Sequence, residues 1–191
     1  MKLRVGDVFG RKAKEAHHTS MTKPTDPEIS FFESRLKEIA GKHEPRILII
    51  GCSPEIRELA AKLKIKTTVV ANDLEVIERT TKLMKRRNNK EEWLEGSITE
   101  LPLKKESFDA IFGDHILSNV SPFNREVFYE RMKEILKKDG FVVMRSVVFK
   151  KTARPFENRI KKYFSIDKKE FVKEGIFSDY FPIYLMRPVT S

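Results

Sequence analysis

Cysteine is almost absent. Cys52 is the single one in 191 residues, which excludes an intramolecular disulfide and leaves too few thiols for a cysteine zinc cluster. No metal site is expected. Long apolar runs are missing as well: nothing approaches the roughly 18 consecutive apolar residues of a membrane span. The opening MKLRVGDVFGRKAKEAHH also lacks the apolar core of a signal peptide. A cytoplasmic location without membrane attachment is the expectation. Repeats and low-complexity linkers are absent too, so a single domain is expected over 1–191, with one buried core. It divides into an N-terminal segment and helix (1–44), a core (45–149) and a C-terminal helix with an edge strand (150–191).

Negative charge is in deficit. Lys and Arg number 38 against 28 Asp and Glu, a net charge of +10. Such an excess suits a phosphate-rich partner such as nucleic acid, since cations displace the counterions of phosphates. The interleaving in KKESF and ERMKEILKKDG reads instead as ordinary solvated helix surface. KLMKRRNNK, residues 82–90, is the densest cluster and is assigned to a helix end, where cations complement the dipole. Nothing in the sequence specifies an oligomeric state.

Periodicity carries the fold. Ile29, Phe32, Leu36 and Ile39 form one stripe of a helix that Asp26 caps, with Pro27 in its first turn and Gly41 after its end. From Arg46 onward strands alternate with helices. ILII (47–50) is an uninterrupted apolar run, as a strand buried on both faces requires. A helix follows on Ile56, Leu59, Ala60 and Leu63, then a β-branched strand KTTVVAN (66–72) and a helix LEVIERTTKLMKRR. EEWLEGS and FDAIFG (108–113) read as strands three and four. A helix over 124–138 ends near Gly140, and FVVMRSVVF (141–149) is strand five. IDKKEFVKEG is assigned to a helix and YFPIYLMR to a last strand. The order predicts an α/β fold, a doubly wound and mainly parallel sheet with a helical N-terminal extension and a shortened C-terminal end.

In an open α/β sheet, ligands bind beyond the carboxyl ends of the strands. Four segments are expected there: Gly51-Cys52-Ser53-Pro54-Glu55, Asn72-Asp73-Leu74, Gly96-Ser97-Ile98 and Gly113-Asp114-His115. Asp73 stands about 20 residues after Gly51, the spacing at which an acidic residue accepts from ribose hydroxyls. It also suits a helix N-cap. Glu55 at a helix N-terminus would compete with a pyrophosphate for the positive dipole end, and G-x-G-x-x-G is missing, so a nicotinamide cofactor is disfavoured. His115 is a candidate general base because histidine is the residue type ordinarily suited to that role, although a lone His at a strand end often serves structure.

The stretches ILIIGCSPE, VVANDLEV, WLEGSITELPLKKESFDAIFGD and FYERMKEILKKDGFVVMR, in that order, resemble the class I S-adenosylmethionine-dependent methyltransferases. The likeness runs from about Arg46 to Phe149. It implies a seven-stranded Rossmann-like fold, with S-adenosylmethionine held by Gly51, Cys52, Ser53, Asp73, Leu74, Ser97, Ile98 and Asp114. It places acceptor chemistry at Asp114 and His115. Ser53 and Glu55 stand where most members carry glycine, and the loop resembles a subset with Thr/Ser-Pro-Glu instead. Ser97 stands where many members have an acid. The loop GDHILSNVSPF lacks the Asn/Asp-Pro-Pro-aromatic motif of amino-directed nucleic-acid members. The acceptor is expected to be a small molecule ahead of RNA or protein. The competing expectation is a non-catalytic, methyltransferase-like partner subunit. His17 to Met21 are expected to roof the cleft.

Overall fold

In the computed structural model, residues 23–146, 150–171 and 182–189 are described. The roof expected of His17 to Met21 lies outside them. Helix α1 (Asp26–Ala40) precedes β1 (Arg46–Ile50), α2 (Pro54–Lys62), β2 (Lys66–Ala71), α3 (Leu74–Leu83) and β3 (Glu91–Glu95). Then come β4 (Phe108–Asp114), the short α4 (Ile116–Asn119), α5 (Arg125–Ile135), β5 (Leu136–Arg145), α6 (Lys150–Ile160), β6 (Phe164–Phe171) and β7 (Pro182–Pro188). The seven strands lie in the order β3-β2-β1-β4-β5-β7-β6. Every pairing from β3 to β5 is parallel, and β7 is antiparallel to both β5 and β6. The expected α/β architecture is present.

Alternation along the strands divides the core between the two sheet faces. In β1, Leu48 and Ile50 join Leu117, Phe128, Tyr129, Met132, Phe156 and Ile160 of α4, α5 and α6. Ile47 and Ile49 face the other way, onto Phe32, Leu36, Ile39, Ile56, Ala60 and Ile77 of α1, α2 and α3. Burial on both faces is why ILII carries no polar residue. Among the described residues no helix is long and apolar enough to cross a membrane.

Several boundaries differ from expectation. Thr25, not Asp26, is the N-cap of α1, and its N–H donates to the Glu28 carboxylate at 2.7 Å. Helix α3 stops at Leu83 because Met84 turns inward, 7% exposed. The cations from Lys85 to Lys90 therefore lie on a loop, where no helix dipole explains them. Helix α5 ends at Ile135, since Leu136 already pairs with Phe108 and the register resumes at Phe141 opposite Ala110. The end of strand five expected at 147–149 lies outside the described residues.

Of the two C-terminal assignments, the strand holds and the helix does not: the described part of YFPIYLMR is strand β7, although it lies between β5 and β6 and not at the sheet edge. The part of IDKKEFVKEG that is described, Ile166 to Phe171, lies in strand β6 and not in a helix; the remainder lies outside the described residues. The helix is α6, over a stretch given no element from the sequence. Phe164 and Ile166 face inward against Ser165 and Asp167 outward, a two-residue period that a register shift between Ile166 and Lys168 then interrupts. Lys and Glu there are good helix formers, but pairing with β7 overrides that preference. Pro155 sits inside α6 and hid a helix whose Ala153, Phe156 and Ile160 pack on the core.

Candidate functional site

The strand order reverses between β1 and β4, so a crevice opens beyond their carboxyl ends. Gly51 turns the chain there with φ +86° and its N–H donates to Val70 O at 2.8 Å. A Cβ at Gly51 would stand 2.8 Å from Ile116 Cδ1, so glycine fits for two reasons, conformation and the closeness of α4. Ser53 is the N-cap of α2 and donates through Oγ to Glu55 at 3.2 Å. Cys52 is partly buried against the α1–α3 face. Burial pushes its thiol pKa up, more than nearby Arg57 and a bond with Thr80 pull it down.

Asp73 caps α3: Oδ1 accepts from Glu75 N at 2.9 Å. Oδ2 bonds to no described residue and remains available as an acceptor at the end of β2. Leu74 follows as the first residue of the helix. On the next strand, Gly96 donates to Ala71 O at 2.9 Å. Ser97 Oγ is shared locally, 2.7 Å from Thr99 Oγ1. Ile98 is 1% exposed.

The loop after β3 has a clamp that the sequence did not reveal. Arg131 of α5 donates to Ile98 O at 3.1 Å and to Leu101 O and Leu103 O at 2.8 Å each. Three carbonyls on one guanidinium fix the course of Ser97 to Leu103.

Arg145, also missed, organises the opposite wall. It is 2% exposed at the end of β5 and meets both carboxylate oxygens of Asp114, at 2.6 and 3.1 Å. It also donates to Glu28 of α1 at 3.0 Å. Burial opposes the charge on Arg145, but the two carboxylates outweigh it and raise the pKa. Nη2 lies 2.9 Å from His115 Nε2. Because a guanidinium only donates, that ring nitrogen is the acceptor and its lone pair is engaged. His115 itself takes a left-handed conformation, φ +58°, with its N–H on Arg145 O at 2.8 Å. Asp114 and His115 thus both rest on Arg145 at the end of β4.

A second buried arginine ties the helices of the first wall. Arg57, fully buried, meets Glu91 at 2.6 Å, Thr80 at 3.0 Å and Thr81 at 2.5 Å. Its guanidinium lies 5.7 Å from the Trp93 ring. It joins α2, α3 and β3 behind the Gly51 loop.

The sequence profile described as "Methyltransferase domain" matches residues 48–144, the stretch that builds this crevice. No curated protein matches the chain. Solved structures with a similar fold include the PH0226 protein from Pyrococcus horikoshii OT3, at 13% identity and TM-score 0.72, covering 94% of this chain and 99% of that one. N-methyltransferase NodS from Bradyrhizobium japonicum WM9, in complex with S-adenosylhomocysteine, is similar at 15% identity and TM-score 0.69, over 93% and 97% of the two chains. The 1,6-didemethyltoxoflavin-N1-methyltransferase of Burkholderia thailandensis is similar at 12% identity and TM-score 0.66, over 97% and 82%.

Proposed function

The chain belongs to the methyltransferase-domain family, and we propose that it binds S-adenosylmethionine in this crevice and transfers a methyl group to an acceptor over β4 and β5. The observation that carries the reading is the open Oδ2 of Asp73 at the end of β2, one strand from the Gly51 turn. A ribose diol needs an acceptor of that kind, and the residues present fit it. Asp73 would hold the ribose hydroxyls. Gly51, Cys52 and Ser53 would line the methionine tail through their backbone, with Leu74, Ser97 and Ile98 along the nucleoside and Asp114 across the crevice. When bound, S-adenosylmethionine supplies a methyl group on a sulfonium centre, open to in-line attack.

The protein's share is then orientation. Arg145 holds Asp114 and the His115 ring as one rigid wall, so placement of the acceptor contributes more than proton abstraction. An acceptor that reacts in its unprotonated form suits such a wall, and a small molecule remains the first class proposed. His115→Asn should lower the chemical rate less than about tenfold, at every pH, where loss of a general base would cost roughly a hundredfold or more. Single-turnover rates across pH decide between the two.

A cofactor-holding partner subunit without turnover is the second reading, favoured by the engagement of both Asp114 and His115 with Arg145. Mass spectrometry of nucleosides released from the purified, denatured protein tests the cofactor. Transfer of labelled methyl into metabolite, RNA and protein fractions tests turnover.

A further inference from the structure

At the opposite end of the sheet, two basic loops lie side by side. Lys64 and Lys66 lead into β2, and Lys85, Arg86, Arg87 and Lys90 lie between α3 and β3; all six are exposed. Hydrogen bonds join the loops. Asn88 Nδ2 donates to Ile65 O at 2.6 Å, and Thr67 N donates to Lys90 O at 3.3 Å.

Elsewhere on the described surface many cations are matched by acids: Lys42 by Asp139, Lys62 by Glu33, Lys105 by Glu134, Lys162 by Glu126 and Lys168 by Glu170. These six form no ion pair among the described residues. The acids beside them are occupied. The Glu58 carboxylate accepts from the backbone N–H of Lys85 and Arg86, and Glu91 is bound by Arg57. Glu58 keeps its charge, and with the exposed Glu92 and Glu44 nearby it still leaves three acids against six cations.

We propose that this face is a docking surface for the phosphate backbone of RNA. Unpaired cations held on two bonded loops present fixed charge to a polyanion, and each phosphate neutralised releases counterions. Arg86 and Arg87 add forked donors that match phosphate geometry. Trp93, on the bordering edge strand and 37% exposed, offers a ring on which an unpaired base can stack. A membrane surface fits less well, because docking there needs a broad apolar face and Leu83 is the large exposed aliphatic residue at this end. The face stands about 20 Å from the crevice, the length of a six-residue strand at roughly 3.3 Å per residue. It therefore anchors without touching the cofactor residues, and it goes beyond the methyl-transfer reading without resting on it.

The test uses the full chain and a fluorescein-labelled 20-nucleotide single-stranded RNA, followed by anisotropy over a salt series. A variant with Lys66, Lys85, Arg86 and Arg87 changed to Gln should bind more than tenfold more weakly at low salt. Its slope of log K against log salt should be shallower by about 3, four contacts at roughly 0.7 each. A control with Lys37, Lys161, Lys162 and Lys168 changed to Gln loses the same charge and should stay within twofold of the parent. Equal losses in the two variants would mean that the net charge of the chain, not this face, attracts RNA, and would overturn the proposal. So would vesicles rich in phosphatidylserine that bind more tightly than the RNA through the same four residues. Photo-crosslinking of 4-thiouridine RNA to the unaltered chain should label peptides within 62–93, and labels confined elsewhere would also overturn it. S-adenosylmethionine affinity, measured in the same variants, should not change, which separates failure here from failure of the methyl-transfer reading.

Discussion

Asp73 does two jobs whose losses can be told apart. Asp73→Ala removes the α3 cap, costing about 1 kcal/mol of stability, and should weaken S-adenosylmethionine binding by about 1.5–3 kcal/mol. Asp73→Asn keeps a capping oxygen, so it should melt like the parent and still bind more weakly in calorimetry. Equal affinity for the Asn variant and the parent would reduce Asp73 to a cap. Tyr129 poses a different question. It is fully buried in the core, its hydroxyl meets no partner among the described residues, and burial pushes its pKa up to about 12 from an ordinary 10.0. The unfolded chain releases that proton near pH 10 while the fold retains it, so stability should fall between pH 10 and 12. Below pH 10 this group contributes no slope. Tyr129→Phe should remove its part of the alkaline loss and leave neutral stability equal or about 1 kcal/mol higher. Urea unfolding at pH 7 and pH 11 measures both.

The strand-to-helix turns were readable from sequence because their information is local. Gly51, Asp73, Gly96 and Asp114 each stand at or just after the end of a strand, and the structure sets all four at one end of the sheet. Arg57, Arg131 and Arg145 were not readable. They find their partners 34, 33 and 117 residues away, at Glu91, Ile98 and Glu28, and no short pattern encodes such meetings. Strand β6 was lost for a related reason, since its ladder with β7 decides its state. The Arg131 clamp gives an element-level prediction. Arg131→Met should free Ser97 to Leu103, visible as faster amide exchange, and lower cofactor affinity although Arg131 need not touch the cofactor. For the Gly51 turn, Gly51→Val should abolish binding. Because the new side chain also strikes Ile116, adding Ile116→Ala should recover stability without recovering binding.

Across the whole molecule, Arg145 joins α1 to the sheet, and both of its carboxylate partners lie on other elements. Arg145→Met would strand Glu28 and Asp114 and should cost about 3–5 kcal/mol in urea unfolding. The charge distribution adds a second relation between distant parts: acids and bound carbonyls shape the crevice end, while unpaired cations gather at the other. The order of the strands has a consequence in time. Strand β7 sits between β5 and β6, so during synthesis β6 leaves the ribosome before the strand it must pair with exists. Until Pro182–Pro188 emerges, β5 presents an open edge capable of pairing with any neighbouring nascent chain. Folding of this half must wait, and ribosome-bound chains stalled before Pro182 should be cleaved by protease in β6 while β1 to β4 already resist it.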